Sequence, residues 1–172
     1  MKKIILAVIA AFALTGCFTK PYVDVKTNNY ATIQLVPESE TLLFKDEYYA
    51  FLRDYRILRS KKECDYDNSS LGIIETDSDT PSRIAKITAE KPILLNVNYT
   101  VHSGNSTFTE YTNIWLRPAK HRHYIVVYKK KSINLFRSVS DFAVYEKRGN
   151  KRVRVPSSRV ATFDYDKACG KK

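Results

Sequence analysis

Two stretches decide how this chain folds: Ile93-Leu-Leu-Asn-Val-Asn-Tyr-Thr-Val101 and His123-Tyr-Ile-Val-Val-Tyr-Lys129. Both are rich in β-branched and aromatic residues, which suit a pleated, half-buried surface. Their apolar residues follow the strand period of two or run unbroken for less than the length of a helix. Working outward, similar runs occur at Ala31–Val36, Arg83–Thr88, Thr107–Leu116, Phe142–Lys147 and Lys151–Val155. Pro37, Pro81, Pro92, Pro118 and Pro156 read as punctuation between the runs. Many short strands with turn signals between them argue for a sandwich or a barrel, and the expectation is a mainly β, sandwich-like single domain over residues 30–172.

Two segments are less regular. Tyr48, Phe51, Leu52 and Tyr55 follow i, i+3, i+4, i+7 spacing, so residues 46–56 read as a short helix or an aromatic strand. Residues 60–82 are polar and read as loops around one short strand, Leu71–Glu75. Most of the twelve Tyr and eight Phe are expected in the core, with Tyr124 and Tyr145 as surface contacts.

The N-terminus carries a different message. Lys2 and Lys3 precede an apolar run, Ile4–Leu14. That run has signal-peptide length and is too short to cross a bilayer of about 30 Å as a helix. Leu14-Thr15-Gly16-Cys17 follows. This order of parts resembles the lipobox of bacterial lipoproteins. The resemblance implies cleavage before Cys17, diacylglycerol on its sulfur and acylation of the new terminus, with palmitate-type chains as the lipid anchor. Residues 1–16 are then the signal peptide, and residues 17–29 the acylated cysteine and a tether. Phe18 in place of Asp implies the outer membrane, and the domain is expected on its periplasmic face. Two or three chains make a durable anchor where one chain is marginal.

An exported chain matures in an oxidising compartment. With Cys17 acylated, Cys64 and Cys169 remain and are expected to pair. Free thiols or a metal site are the alternatives. A loop of about 100 residues would contribute up to about 4–5 kcal/mol in the chain-entropy account. Scattered features resemble small Gram-negative outer-membrane lipoproteins with β-sandwich domains: Ala31-Thr-Ile-Gln-Leu, Cys64, Glu90-Lys-Pro-Ile93, the aromatic strand at 124–128 and the closing Phe163-Asp-Tyr-Asp-Lys-Ala-Cys169. That likeness implies the fold and the disulfide. It carries no activity.

Charge is segregated. The chain bears a formal +11, from 29 Lys and Arg against 18 Asp and Glu. Residues 18–116 hold 11 cations and 14 anions, whereas residues 117–159 hold 13 cations against Asp141 and Glu146 alone. Such asymmetry points to an acidic partner. Gly149-Asn150 can close a two-residue hairpin. In that register Lys147 faces Arg152, Tyr145 faces Arg154, Glu146 faces Val153 and Val144 faces Val155. Phe142, Val144, Val153 and Val155 then form a core face. Tyr145, Lys147, Arg152 and Arg154 form a basic outer face and are the candidate anion- or partner-binding residues. A merely solvated basic face is the bland alternative.

Catalytic patterns are thin. His121 and His123 would share a strand face near His102, but Lys120, Arg122 and Arg117 oppose a cation there. Asp65-Tyr-Asp67 and Asp77-Ser-Asp79 lack the distal ligands of a calcium loop. No nucleophile elbow, phosphate loop or zinc-protease motif occurs. No cofactor and no metal are expected, and the export signal disfavours nucleic acid. The expected function is a non-enzymatic, lipid-anchored accessory or scaffold subunit of an envelope assembly. It would touch the membrane through its anchor and an envelope protein through its basic face. The alternative is a binder of an acidic envelope ligand such as lipopolysaccharide. Inhibition of a basic lysozyme is disfavoured by charge. A hydrolase would need a triad assembled in space.

Overall fold

The computed structural model describes residues 20–39, 45–59, 66–77, 80–103, 106–134 and 137–164. These residues form a two-sheet β-sandwich with ten strands among them. One sheet runs β4(Ala85–Thr88), β1(Tyr30–Ser39), β7(His123–Asn134), β8(Arg137–Arg148), β9(Lys151–Arg154). The other runs β10(Val160–Thr162), β6(Ser106–Leu116), β5(Ile93–Ser103), β2(Lys45–Asp54), β3(Ser70–Asp77). Every pairing is antiparallel except β1 with β7. Two short helices, α1(Tyr55–Arg59) and α2(Tyr66–Ser69), lie between β2 and β3.

The core follows from alternation. Ile33, Leu35, Tyr124, Val126, Tyr128 and Val144 point inward from the first sheet, and Tyr48, Ala50, Leu52, Leu95, Val97 and Tyr99 meet them from the second. Buried hydroxyls need partners. Tyr48 donates to the Val126 carbonyl at 3.2 Å, and Tyr128 donates to Glu110 Oε2 at 2.8 Å. The Tyr99 and Tyr128 rings stack at 3.8 Å. Tyr124 is fully buried, so its expected surface role is corrected.

The ambiguous stretch at 46–56 is a strand to Asp54 and a helix from Tyr55. Tyr48, Ala50 and Leu52 are its inward set, whereas Tyr49 and Phe51 meet edge-to-face at 5.5 Å. Aromatics on both faces imitate helical spacing. Asp54 ends the strand by accepting the Arg56 N–H at 2.9 Å, a helix N-cap. Leu58 of α1 then covers the outer face of β5 with Leu94 and Phe163. Phe163 follows β10, a strand the sequence reading did not anticipate.

Pro37 lies inside β1 rather than after it. The Thr32 N–H points to β7, where it meets the Arg122 carbonyl. By alternation residue 37 points the other way, past Ala85, where β4 pairing has stopped. The missing N–H is therefore tolerated at a locally open edge.

Residues from Lys20 onward do not form a free tether. Tyr22 N–H donates to the Ile73 carbonyl, Ile73 N–H to the Lys20 carbonyl, and Val25 N–H to the Lys86 carbonyl. The segment thus bridges β3 and β4, the edge strands of the two sheets. Tyr22 is buried in the main core, and its hydroxyl donates to the Lys86 carbonyl at 2.9 Å. Burial, with Asp24 nearby, pushes its pKa up to about 12. Arg83 adds an ion pair to Asp24 at 2.6 Å. Cys17, Cys64 and Cys169 all lie outside the described residues.

Candidate functional site

The β8–β9 hairpin has the expected register: Tyr145 faces Arg154, Glu146 faces Val153, and Lys147 faces Arg152. Gly149 opens its turn at φ +59°, the left-handed conformation glycine adopts readily. Phe142, Val144 and Val155 pack on the core, but Val153 is exposed, which corrects its place in the core face.

The four candidate residues do not behave alike. Tyr145 packs on a small apolar cluster of Val36, Ile125 and Val127 that lies on the outward side of the first sheet. Arg152 forms an ion pair with Glu38 of β1, and Lys129 joins the same carboxylate at 3.0 Å. Burial raises the Glu38 pKa, but hydrogen bonds and charge from Lys129 and Arg152 outweigh it, so the carboxyl titrates below its usual range. Arg152 is in register with Lys147, His123 and Thr32, yet it reaches Glu38, six residues beyond Thr32. The twisted sheet therefore curls over this face. Tyr145 covers the outer apolar cluster, and the Glu38 bridge ties β9 and β7 to β1. Lys147 and Arg154 are exposed, and no carboxylate among the described residues pairs with either.

A second group of cations lies at one end of the sandwich, and the sequence reading missed it. Glu146 is only 3% exposed. Arg148 Nε donates to Glu146 Oε1 at 2.8 Å, Arg122 lies 3.6 Å from the same oxygen, and Arg159 lies 3.7 Å from Oε2. Arg159 also donates to the Tyr124 hydroxyl, which accepts the Ala119 N–H at 2.8 Å. One carboxylate thus organises three guanidiniums. More than half of the Arg122 and Arg148 side chains remains exposed, at 54% and 58%. Their free N–H groups form a fork geometry suited to phosphate or carboxylate. A signal was present in the sequence: Glu146 has the same parity as Phe142 and Val144, which puts a carboxylate on a core face.

The histidines are separated. His121 lies in the turn before β7 at φ +58° and meets the Tyr30 ring edge-on at 5.4 Å. His123 is on β7, with Nδ1 2.9 Å from Thr32 Oγ1. Burial and then Lys147 lower its pKa. The two do not share a strand face as the metal alternative required, and the His102 side chain lies outside the described set. Among the described residues no group of three or more His, Cys, Asp and Glu is placed to hold a metal. An open cleft along the opposite flank is lined by Glu47, Tyr49, Phe51, Glu75, Thr80 and Arg83. Its carboxylates contrast with the basic hairpin flank.

Compared with family models and with curated proteins, the chain matches none.

Proposed function

We propose that this protein is a non-enzymatic, lipid-anchored outer-membrane subunit, facing the periplasm, that docks an acidic envelope protein on its basic hairpin flank. The observation that carries this reading is the split among the four basic-face residues. Tyr145 is engaged with the outer apolar cluster and Arg152 with Glu38, whereas Lys147 and Arg154 are exposed and have no paired carboxylate among the described residues. Exposed, unmatched cations favour recognition of an acidic surface. The resemblance at Leu14–Cys17 supports the anchor and the compartment.

The Cys64–Cys169 bridge belongs to the same proposal. Phe163 packs with Leu58 and Tyr55 of α1, so the chain leading to Cys169 starts beside the helix that precedes Cys64. Unlike mobility of reduced and non-reduced chains supports the bridge, and equal mobility removes it.

In-cell crosslinking of the intact chain tests the docking. Wild type is expected to capture one recurrent envelope protein, and Lys147→Ala with Arg154→Ala is expected to lose it while the fold persists. Equal capture by both sinks the hairpin flank as the docking surface. The arginine fork around Glu146 favours a second reading, recognition of a phosphate-bearing envelope ligand, since its free N–H groups suit that geometry.

A further inference from the structure

We infer that the end of the sandwich bearing the Glu146 arginines lies against the bilayer, with its cations on the anionic phospholipid headgroups of the leaflet that holds the anchor. This rests on the proposed lipidation of Cys17 and adds the orientation that the anchor imposes.

The direction of the chain is the first argument. Pro21 bridges Ile73 in parallel, so from Tyr22 back to Lys20 the chain runs toward the start of β3 at Ser70. Ser70 is in register with Arg53, Asp54 with Ile93, and Ile93 with Leu116. The connection from Leu116 to His123 and the Gly149–Asn150 turn lie at that same end. The chain therefore leaves the fold toward the arginines.

The second argument is length. Backbone docking begins at Lys20, whose carbonyl accepts the Ile73 N–H at 3.0 Å. Only Phe18 and Thr19 separate it from Cys17. Three residue steps span at most about 10 Å even fully extended. An acyl chain on Cys17 inserts below the headgroup layer, so the end next to Lys20 is held at that layer rather than swinging free of it.

Charge is the third. Arg117, Lys120, Arg122, Arg148, Lys151 and Arg159 gather at this end. Among the residues whose side chains are described, the carboxylates there are Asp54, Glu90 and Glu146. Asp54 is committed to capping α1, and Glu146 is enclosed by its three arginines. Val23 and Leu71 are exposed and line one cleft with Lys91, which places apolar side chains beside the exit of the chain. Cations with adjoining apolar groups suit an anionic lipid surface.

The test uses the processed chain from residue 17 with Cys17→Ser, which retains every described residue. Its partition onto vesicles of phosphatidylethanolamine and phosphatidylglycerol is compared with that onto phosphatidylcholine. Each headgroup-facing cation contributes about fivefold to partition, so Arg117→Ala, Lys120→Ala and Lys151→Ala together lower it by about a hundredfold. None of these three pairs with Glu146, so the fold is kept. Lys147→Ala with Arg154→Ala, on the flank, is expected to change partition by less than about fivefold. Equal binding to both vesicle types overturns the inference, as does an equal fall in the two variants. It is also overturned if the triple variant loses a crosslinked envelope protein but not the vesicles. Mass spectrometry of the membrane-extracted chain reads the anchor separately. An unmodified Cys17 removes the anchor and with it this orientation, whereas an acylated Cys17 with charge-blind partition removes the orientation alone.

Discussion

Gly72 and Tyr22 meet backbone to backbone: a β-carbon on Gly72 would stand 2.6 Å from Tyr22 Cα. Gly72 also has φ +124°, a conformation that side-chain-bearing residues rarely adopt. This contact lets residues 20–25 close the gap between β3 and β4. Gly72→Ala meets backbone on the other side, which cannot rotate away. It is expected to destabilise the domain by about 2–3 kcal/mol. It should also raise hydrogen exchange at Tyr22 and Ile73 above that of the central strands. Unchanged protection at these two amides would sink the docked-segment account.

Glu146 gives the second prediction. Its carboxylate is buried and satisfied by three guanidiniums, so its removal leaves Arg148, Arg122 and Arg159 mutually repelling beside a buried Tyr124. Glu146→Ala is expected to cost about 2–4 kcal/mol in denaturant unfolding. Glu146→Gln should cost less, because it keeps an acceptor for the Arg148 N–H. Added salt should recover part of the loss in both. A salt-independent loss would show that packing, not charge, is the role of this side chain.

How far such features can be read from sequence depends on whether they are periodic. Strands β1, β5, β6, β7, β8 and β9 are legible because one face of each alternates or both faces are apolar. The hairpin register is legible because Gly149-Asn150 admits one short turn. What fails is what depends on contacts between distant elements. Residues 20–29 carry no strand period, and their order comes from Tyr22 inserting between two sheet edges. Pro37 reads as an end because local chemistry does not reveal that the β4 partner stops at Ala85. Arg152 reads as free because its partner Glu38 lies three strands away. The Glu146 cluster is the instructive miss. The parity rule already put Glu146 with Phe142 and Val144, and a carboxylate on a core face demands cations. The sequence could not say that Arg122 and Arg159, from two separate connections, would supply them.

The Glu38 bridge gives the third prediction. Arg152 and Lys129 share the Glu38 carboxylate. Both cations are substantially exposed, so each link contributes at the level of a surface pair, about 0.5–1 kcal/mol. The long Arg152 stem covers apolar surface as well. Arg152→Ala should therefore destabilise by about 1 kcal/mol, and Lys147→Ala by less than about 0.5 kcal/mol. A double-mutant cycle of Arg152→Ala with Glu38→Gln should show positive coupling. Zero coupling would mean that the two residues do not meet in solution.

Stability should form a dome in pH, and Glu38, His123 and Tyr22 contribute to its limbs with known sign, joined on the alkaline side by Tyr48, which burial also raises. Glu38 titrates below its unfolded value, so its contribution is complete above that value and is lost as pH falls through the folded one. His123 is likewise lowered, by burial and then by Lys147, so folding favours the neutral ring. Its contribution is complete above about pH 6.5 and fades as the unfolded chain takes up a proton that the fold resists. Tyr22 has the opposite sign: burial lifts it from 10.0 to about 12, so its contribution is complete below pH 10.0 and is lost as pH climbs toward 12. Denaturant midpoints measured from pH 4 to 11 should therefore fall on both sides of a plateau near pH 7–9. His123→Gln should flatten the limb between pH 5 and 7 while leaving the more acidic Glu38 limb in place. Tyr22→Phe should lower the plateau, because the hydrogen bond to the Lys86 carbonyl is lost, and make the alkaline limb shallower, with the part due to buried Tyr48 left in place. An acid limb unchanged by His123→Gln would place that titration elsewhere in the fold.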